Sequence, residues 1–330
     1  MFPRQTFVLG ALWQFAAAST LLAADPLPSW NEGGSKSAIL QFVAATTQSG
    51  GPAFVPQAHR VAVFDNDGTL WPENPLPFQL AFVLDELKRL APDHPEWQKN
   101  AAIRAALDGN VAAVKEGGVK SLAELLAVTH AGMTVDEFNE RVRTWIATAR
   151  HPRFDKPYDS LAYQPMLELL ELLRANSFKT FIVSGGGADF MRVWAERVYG
   201  IPPEQVIGSY GKVRFELRDG QPVLLKEPGI ELVDDHAGKP VGIHRFIGRR
   251  PIACFGNSDG DREMLQWTTI GRPHSLGLII HHTDAQREYA YDARPQSTGK
   301  LVDALKEAPD RNWIVVDMAK DWRRMFTFDQ

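Results

Sequence analysis

The sequence predicts an α/β fold in which a largely parallel sheet carries helices on both faces. Two observations carry that prediction. From Gln164 onward, short apolar and β-branched runs alternate with amphipathic helical stretches. Those runs are bounded by turn residues and are too short to be buried helices. A third observation says where to look for chemistry. Three of the runs end on unusual polar groups: "DND" from Asp65, "SGGG" from Ser184 and "GNSDGD" from Gly256. In open parallel sheets ligands bind beyond the carboxyl ends of the strands. The three groups meet only if the sheet forms as read.

The elements follow in order. After the turn-rich "DPLPSWNEGGSK" comes a short helical pattern, "SAILQFVAATTQ", and then the first strong strand, "RVAVFD" from Arg60 to Asp65. Four stretches with helical periodicity come next: "PFQLAFVLDELKRL", "HPEWQKNAAIRAAL", "SLAELLAVTHAGM" and "TVDEFNERVRTWIATA". They form an all-helical insertion before the next strand, "KTFIVSGGG". The helix "QPMLELLELLRANS" feeds that strand, and "ADFMRVWAERVYG" is a second helix closed by Gly200. "QVIGSYGKVRFELRDGQPVLLK" alternates and holds Asp219-Gly220, a hairpin signal. "GKPVGIHRFIGRR" is a short helix leading into the strand "PIACFGNSD", and "LGLIIHHTD" is a further strand. The tail "NWIVVDMAKDWRRMF" is apolar enough to pack on the core and carries no assigned chemistry.

Composition narrows the function. Of the 330 residues 44% are hydrophobic and 23% charged, enough for a substantial core. A formal charge of −4 provides no global field to hold nucleic acid or anionic lipid. An anionic substrate therefore needs a local site. Arg4 is the only charged side chain before Asp25, and "FVLGALWQFAAASTLLAA" is an apolar run ending in small residues. Residues 1–24 are thus expected to be a cleaved signal peptide, with the protein periplasmic or secreted. The alternative is retention as an N-terminal membrane anchor, for which the run is about the minimum length. Cys254, in "PIACF", reads as a small buried hydrophobe.

Asp65 and Asp67 lie two residues apart, and like charges this close are costly unless a cation stands between them. Mg²⁺ suits carboxylate and carbonyl oxygens. Ser184 and Gly185–Gly187 offer a hydroxyl and unobstructed backbone N–H groups, a cradle for phosphate. Asn257, Asp259 and Asp261 add a third set of oxygens. Lys239, at a helix start, is able to neutralise phosphate charge. Together these are the parts that phosphoryl transfer needs. One aspartate serves as nucleophile and the second carboxyl moves protons.

In this order the motifs resemble the four signatures of the haloacid-dehalogenase superfamily, nearest its phosphoserine-phosphatase-like branch. "DNDGTLW", "VSGGGADF", "GKPVG" and "FGNSDGDREML" carry the resemblance, which runs from Arg60 to about Thr283. It implies a Rossmann-like three-layer core, residues 25–71 and 159–330, with a helical cap at 72–158. It also implies Asp65 as nucleophile and Asp67 as acid/base, with Ser184, the Gly185 amide and Lys239 on the phosphate. Lys226 is the rival to Lys239. The implied Mg²⁺ ligands are Asp65, Asp67 through its backbone carbonyl, Asn257 and Asp261. The departure is Asn257, which stands where the superfamily usually has a metal-binding aspartate; Asp259 is the alternative ligand. On sequence alone, Asn257→Asp is expected to tighten Mg²⁺ binding if Asn257 is a ligand.

The function expected is an exported Mg²⁺-dependent phosphomonoesterase acting on a small phosphorylated metabolite through a phospho-aspartate. A phosphotransferase, or a non-catalytic phosphate-binding protein on the same scaffold, is the alternative. No nucleic-acid partner and no stable membrane association after signal removal are expected. Three features are read as structural. Glu73 lies one residue off the place where the resembling phosphoserine phosphatases have a substrate-contacting glutamate and is taken as a solvated turn residue. Arg141 and Arg143 are taken as a charged helix face rather than a guanidinium over the cleft, and His281-His282 as surface or loop histidines.

Overall fold

The computed structural model describes residues 24–329. The expected signal peptide, apart from Ala24, lies outside the described residues. Seven strands form one sheet: β1 (Val61–Phe64), β2 (Lys179–Gly187), β3 (Val206–Arg218), β4 (Gln221–Leu232), β5 (Ala253–Gly256), β6 (Leu276–His281) and β7 (Ile314–Asp317). Their spatial order is β4-β3-β2-β1-β5-β6-β7. All neighbours pair in parallel except β3 with β4. This is the α/β class that the alternating pattern predicts.

A parallel sheet covered on both faces needs strands that are apolar throughout rather than alternating. β1, "VAVF", meets that requirement with all four residues buried. Its side chains divide between two cores by the two-residue period of a strand. Ala62 and Phe64 join one core with Ile182, Phe255 and Leu278, beneath the helix Gln164–Ala175. Val61 and Val63 join the other with Val183, Cys254 and Ile279, beneath the helices Gly238–Phe246 and Arg262–Thr269. Cys254 is fully buried, as its apolar setting predicts. β1 pairs with β2 on one side and β5 on the other, so the sheet grows in opposite directions from it. That reversal makes the carboxyl end of β1 a crevice between diverging connections.

Between β1 and β2 the chain forms five α-helices: Phe78–Leu90, Ala101–Leu107, Val111–Glu116, Gly118–His130 and Val135–Thr148. The last begins with a capping box, Thr134 accepting from the Glu137 amide while Glu137 accepts from the Thr134 amide. The β3–β4 hairpin turns at Asp219 and Gly220, both at positive φ, as a two-residue Asp-Gly turn requires. β4 is also stitched to the insertion. Lys226 donates its amide to the Met133 carbonyl at 2.8 Å and accepts from Gly132 at 2.9 Å.

Two elements differ from the expectation. The stretch after Gly187 is two short helices, Ala188–Arg192 and Ala195–Tyr199, because Trp194 leaves helical geometry; Gly200 closes the second in the left-handed conformation. The tail supplies the edge strand β7, whose four residues are too few to show a period. Beyond it, Trp322 packs edge-on to Trp30 at 5.9 Å and against Tyr163 at 5.1 Å, tying both ends of the described chain together. Trp322→Ala should therefore cost about 3–5 kcal/mol in a urea unfolding curve. An unchanged midpoint would mean that the tail is not part of the core.

Candidate active site

Past Phe64 the chain leaves β1 while still attached to β5, the Asp65 amide donating to the Phe255 carbonyl at 2.9 Å. It then turns tightly, with the Thr69 and Leu70 amides both donating to the Asn66 carbonyl. Gly68 has φ +77°, and an added methyl there would lie 2.0 Å from Asn257 Nδ2. Only glycine permits that approach. The turn brings Asp67 back beside Asp65. Trp71 Nε1 donates to Asp67 Oδ1 at 2.6 Å, and Trp71 is itself stacked on Trp194 at 4.1 Å. Asp67 Oδ2 faces the glycine loop. A methyl at Gly186 would sit 3.5 Å from Asp67 Oδ2 and 3.4 Å from Ser184 Oγ, so both groups border one small space.

The glycine triplet distorts the end of β2, shifting its register with β3 between Ser184 and Gly187. The Gly187 amide donates to Gln79 Oε1 at 2.6 Å, which brings the first helix of the insertion onto this loop. Lys239, 2% exposed, reaches in from its helix and donates to Asp65 Oδ1 at 2.7 Å and Asp261 Oδ1 at 2.6 Å. Lys226 is elsewhere, its Nζ 2.6 Å from Asp189 Oδ2 and 4.4 Å above the Phe138 ring. Asp261 Oδ2 accepts from the Asn257 and Ser258 amides at 2.9 and 3.0 Å, so both its oxygens are engaged within the protein. Asp259 turns away to cap the helix Asp303–Arg311, accepting from Val302, Asp303 and Ala304. Asn257 is buried inside the site.

Burial pushes the Asp65 carboxyl well above the usual carboxylate range; Lys239 opposes it, and Asp261 and Asp67 add to it. Asp67 is raised by burial against the pull of Trp71 and Lys239. Burial lowers Lys239, but Asp261 and Asp65 outweigh it and hold the ammonium well above its ordinary value. The site is therefore rich in negative charge that one ammonium only partly offsets. A surface cavity of about 400 Å³ lined by His59, Arg249, Arg250 and Arg272 lies at the opposite, amino end of the strands. It is not part of this constellation.

The sequence profile of haloacid dehalogenase-like hydrolases matches residues 62–266, from the second residue of β1 into the helix after the "GNSDGD" loop. The chain belongs to that family. Among solved structures, this hydrolase is similar to a protein of unknown function from Bordetella pertussis Tohama I, with 15% identity and a TM-score of 0.49 over 79% of this chain and 99% of that one. It is also similar to a protein of unknown function from Anaerococcus prevotii DSM 20548, with 16% identity and a TM-score of 0.49 over 76% and 86% of the two chains. A phosphoserine phosphohydrolase-like protein from Francisella tularensis subsp. tularensis SCHU S4 matches at 15% identity and a TM-score of 0.40, over 76% and 98%. No curated protein matches the sequence.

Two residues of this hydrolase correct the sequence reading. Glu73 is not a solvated turn residue but 3% exposed. It accepts from Asn257 Nδ2 at 2.6 Å, Tyr291 Oη at 2.8 Å and Thr298 Oγ1 at 2.6 Å. Burial pushes it up to about 7, with Thr298 and His282 pulling the other way. His282 is likewise buried rather than superficial. Its ring lies 2.8 Å from the Gly68 carbonyl, to which Nε2 donates, and 3.0 Å from Glu288, beneath the Asp65–Asp67 turn. His281 is partly exposed, and Arg141 and Arg143 are on the exposed helix face expected of them. Sequence reasoning also missed Gln79 and Trp71. A tryptophan four residues after Asp67 was a usable signal, whereas Gln79 in the first turn of a helix gave none.

Asp234 is fully buried, and neither carboxylate oxygen has a hydrogen-bond partner among the described residues. Burial pushes it up to about 7, Lys239 opposing. A carboxyl raised in the fold stabilises it below the ordinary value of 3.8 and loses that contribution as pH rises through about 7. The melting temperature of Asp234→Asn relative to the native protein should therefore rise between pH 4 and pH 8. A pH-independent offset in parallel thermal melts would contradict the buried-carboxyl reading.

Proposed function

We propose that this hydrolase is an exported Mg²⁺-dependent phosphomonoesterase acting on a small phosphorylated metabolite. The observation that carries the reading is the seating of Asp65. One of its oxygens is pinned by Lys239, leaving Oδ2 for attack, while Asp67 and Ser184 border one small space at the glycine loop.

The residues fit a magnesium ion by the chemistry of their donors. The Asp65 carboxylate, the Asp67 backbone carbonyl and Asn257 Oδ1 are hard oxygens with lone pairs that their protein contacts do not use. Among the described residues no three Asp, Glu, His or Cys side chains form a closed metal cage. Mg²⁺ does not require one, since it keeps several waters and uses only one or two carboxylates. Asp65, Asp67 and Asn257 would hold it, while Asp261 anchors Lys239 and the loop. When bound, Mg²⁺ supplies positive charge that offsets the carboxylates and the phosphoryl oxygens.

Asp65 Oδ2 attacks phosphorus, forming an aspartyl-phosphate as the bond to the ester oxygen breaks. Asp67, whose carboxyl burial raises above the usual carboxylate range, serves as the acid and gives its proton to that leaving oxygen. It then takes a proton from the water that attacks phosphorus, releasing phosphate and restoring Asp65. Ser184 Oγ and the Gly185 amide orient the phosphoryl oxygens, and Lys239 holds Asp65 against rotation. The helical insertion, tied to the glycine loop through Gln79, covers one side of the site and limits water there. Export rests on the apolar run before Asp25 and its small-residue end.

Hydrolysis of p-nitrophenyl phosphate, with and without Mg²⁺, tests the reading. The native protein should turn over only with Mg²⁺, and Asp65→Asn should fall to background because an amide does not attack phosphorus. Appreciable turnover by Asp65→Asn would remove Asp65 as nucleophile. Product formation that rises with added alcohol would instead mark a phosphotransferase.

A further inference from the structure

Asn257 is neutral in a position where a cation needs charge, and Glu73 lies directly behind it. The pocket around Glu73 is built. Gly68 and Gly299 both have positive φ, and a methyl on either would come within 2.4 Å of Glu73 Oε1. Three donors converge on its two oxygens. Tyr291, one of them, is itself held by stacking on His282 at 4.3 Å. Asn257 Nδ2 can only donate, so the carboxylate fixes which way the amide points. Its oxygen is then the acceptor end of the amide, and Thr69 Oγ1 donates to it at 3.3 Å.

The geometry points to Glu73 and Asn257 acting as one unit, in which Glu73 is the positioning residue that makes Asn257 a competent Mg²⁺ ligand. The carboxylate orients the amide with oxygen toward the ion. Its carboxyl, one hydrogen bond behind, polarises the amide and holds it in place. This inference rests on the magnesium reading above. It reverses the expectation from sequence for Asn257→Asp, which would put a second carboxylate 2.6 Å from Glu73 in place of the donor. Like charges at that distance in a buried site cost stability.

The test is a charge swap, read by Mg²⁺ titration calorimetry and by melting temperature in metal-free buffer, on the full chain without substrate. Glu73→Gln keeps the shape and removes the charge, and it should weaken Mg²⁺ binding about 10- to 100-fold. Asn257→Asp alone should lower the melting temperature and bring no tighter binding. The double variant E73Q/N257D should recover both, because the amide introduced at position 73 can donate to the carboxylate introduced at position 257, reversing the hydrogen bond. Should E73Q lose its fold, the comparison of N257D with the double variant decides: recovery supports the unit and its absence overturns it. Native protein that binds Mg²⁺ while E73Q binds equally well, or N257D that binds more tightly at unchanged stability, overturns the role of Glu73 alone. Native protein with no Mg²⁺ binding overturns the magnesium reading itself.

Discussion

The Lys239 ammonium, between Asp65 Oδ1 and Asp261 Oδ1, is the interaction on which the site depends. Asp65 belongs to the end of β1 and Asp261 to the loop after β5, while Lys239 sits at the start of a helix that precedes β5. One cation thus joins segments that are distant in sequence. Taking three charges out of water is expensive, and the arrangement holds because short hydrogen bonds and further donors complete it. Asp261 shows this most clearly, since its second oxygen accepts two backbone amides and so fixes the loop that carries Asn257.

The fold makes that meeting possible. β1 is four residues long and buried on both faces, so its carboxyl end is set by two cores at once. The register of Phe64 with both Ile182 and Phe255 brings the three polar strand ends to one level. Polar support below the turn is as particular as the packing. His282 holds the Gly68 carbonyl, Trp71 holds Asp67, and Glu73 holds Asn257. His282 and Glu73 reach the site from places that the motifs themselves do not mark.

The sequence made the central residues legible because their chemistry is local. Asp65, Asp67, Ser184 and Lys239 sit in short motifs at strand ends or a helix start, and the strands before them are unambiguous apolar runs. Glu73 and His282 were misread because a solvated turn and a buried pocket have the same local sequence. Their burial comes from Gly299, Thr298, Tyr291 and Glu288, far along the chain. β7 escaped notice because four edge residues cannot show a period. Which of Lys239 and Lys226 contacts Asp65, and that Asp259 turns away to a helix start, depend on tertiary contacts that local sequence does not carry.

The most direct measurement is the unfolding free energy of Lys239→Ala in metal-free buffer, from urea titration against the native protein. Removing one partner of a buried charge cluster leaves the others uncompensated, so a loss of about 3–5 kcal/mol is predicted. A loss under about 1 kcal/mol, the size expected of a solvated surface pair, would contradict the claim that this ammonium joins the end of β1 to the loop after β5.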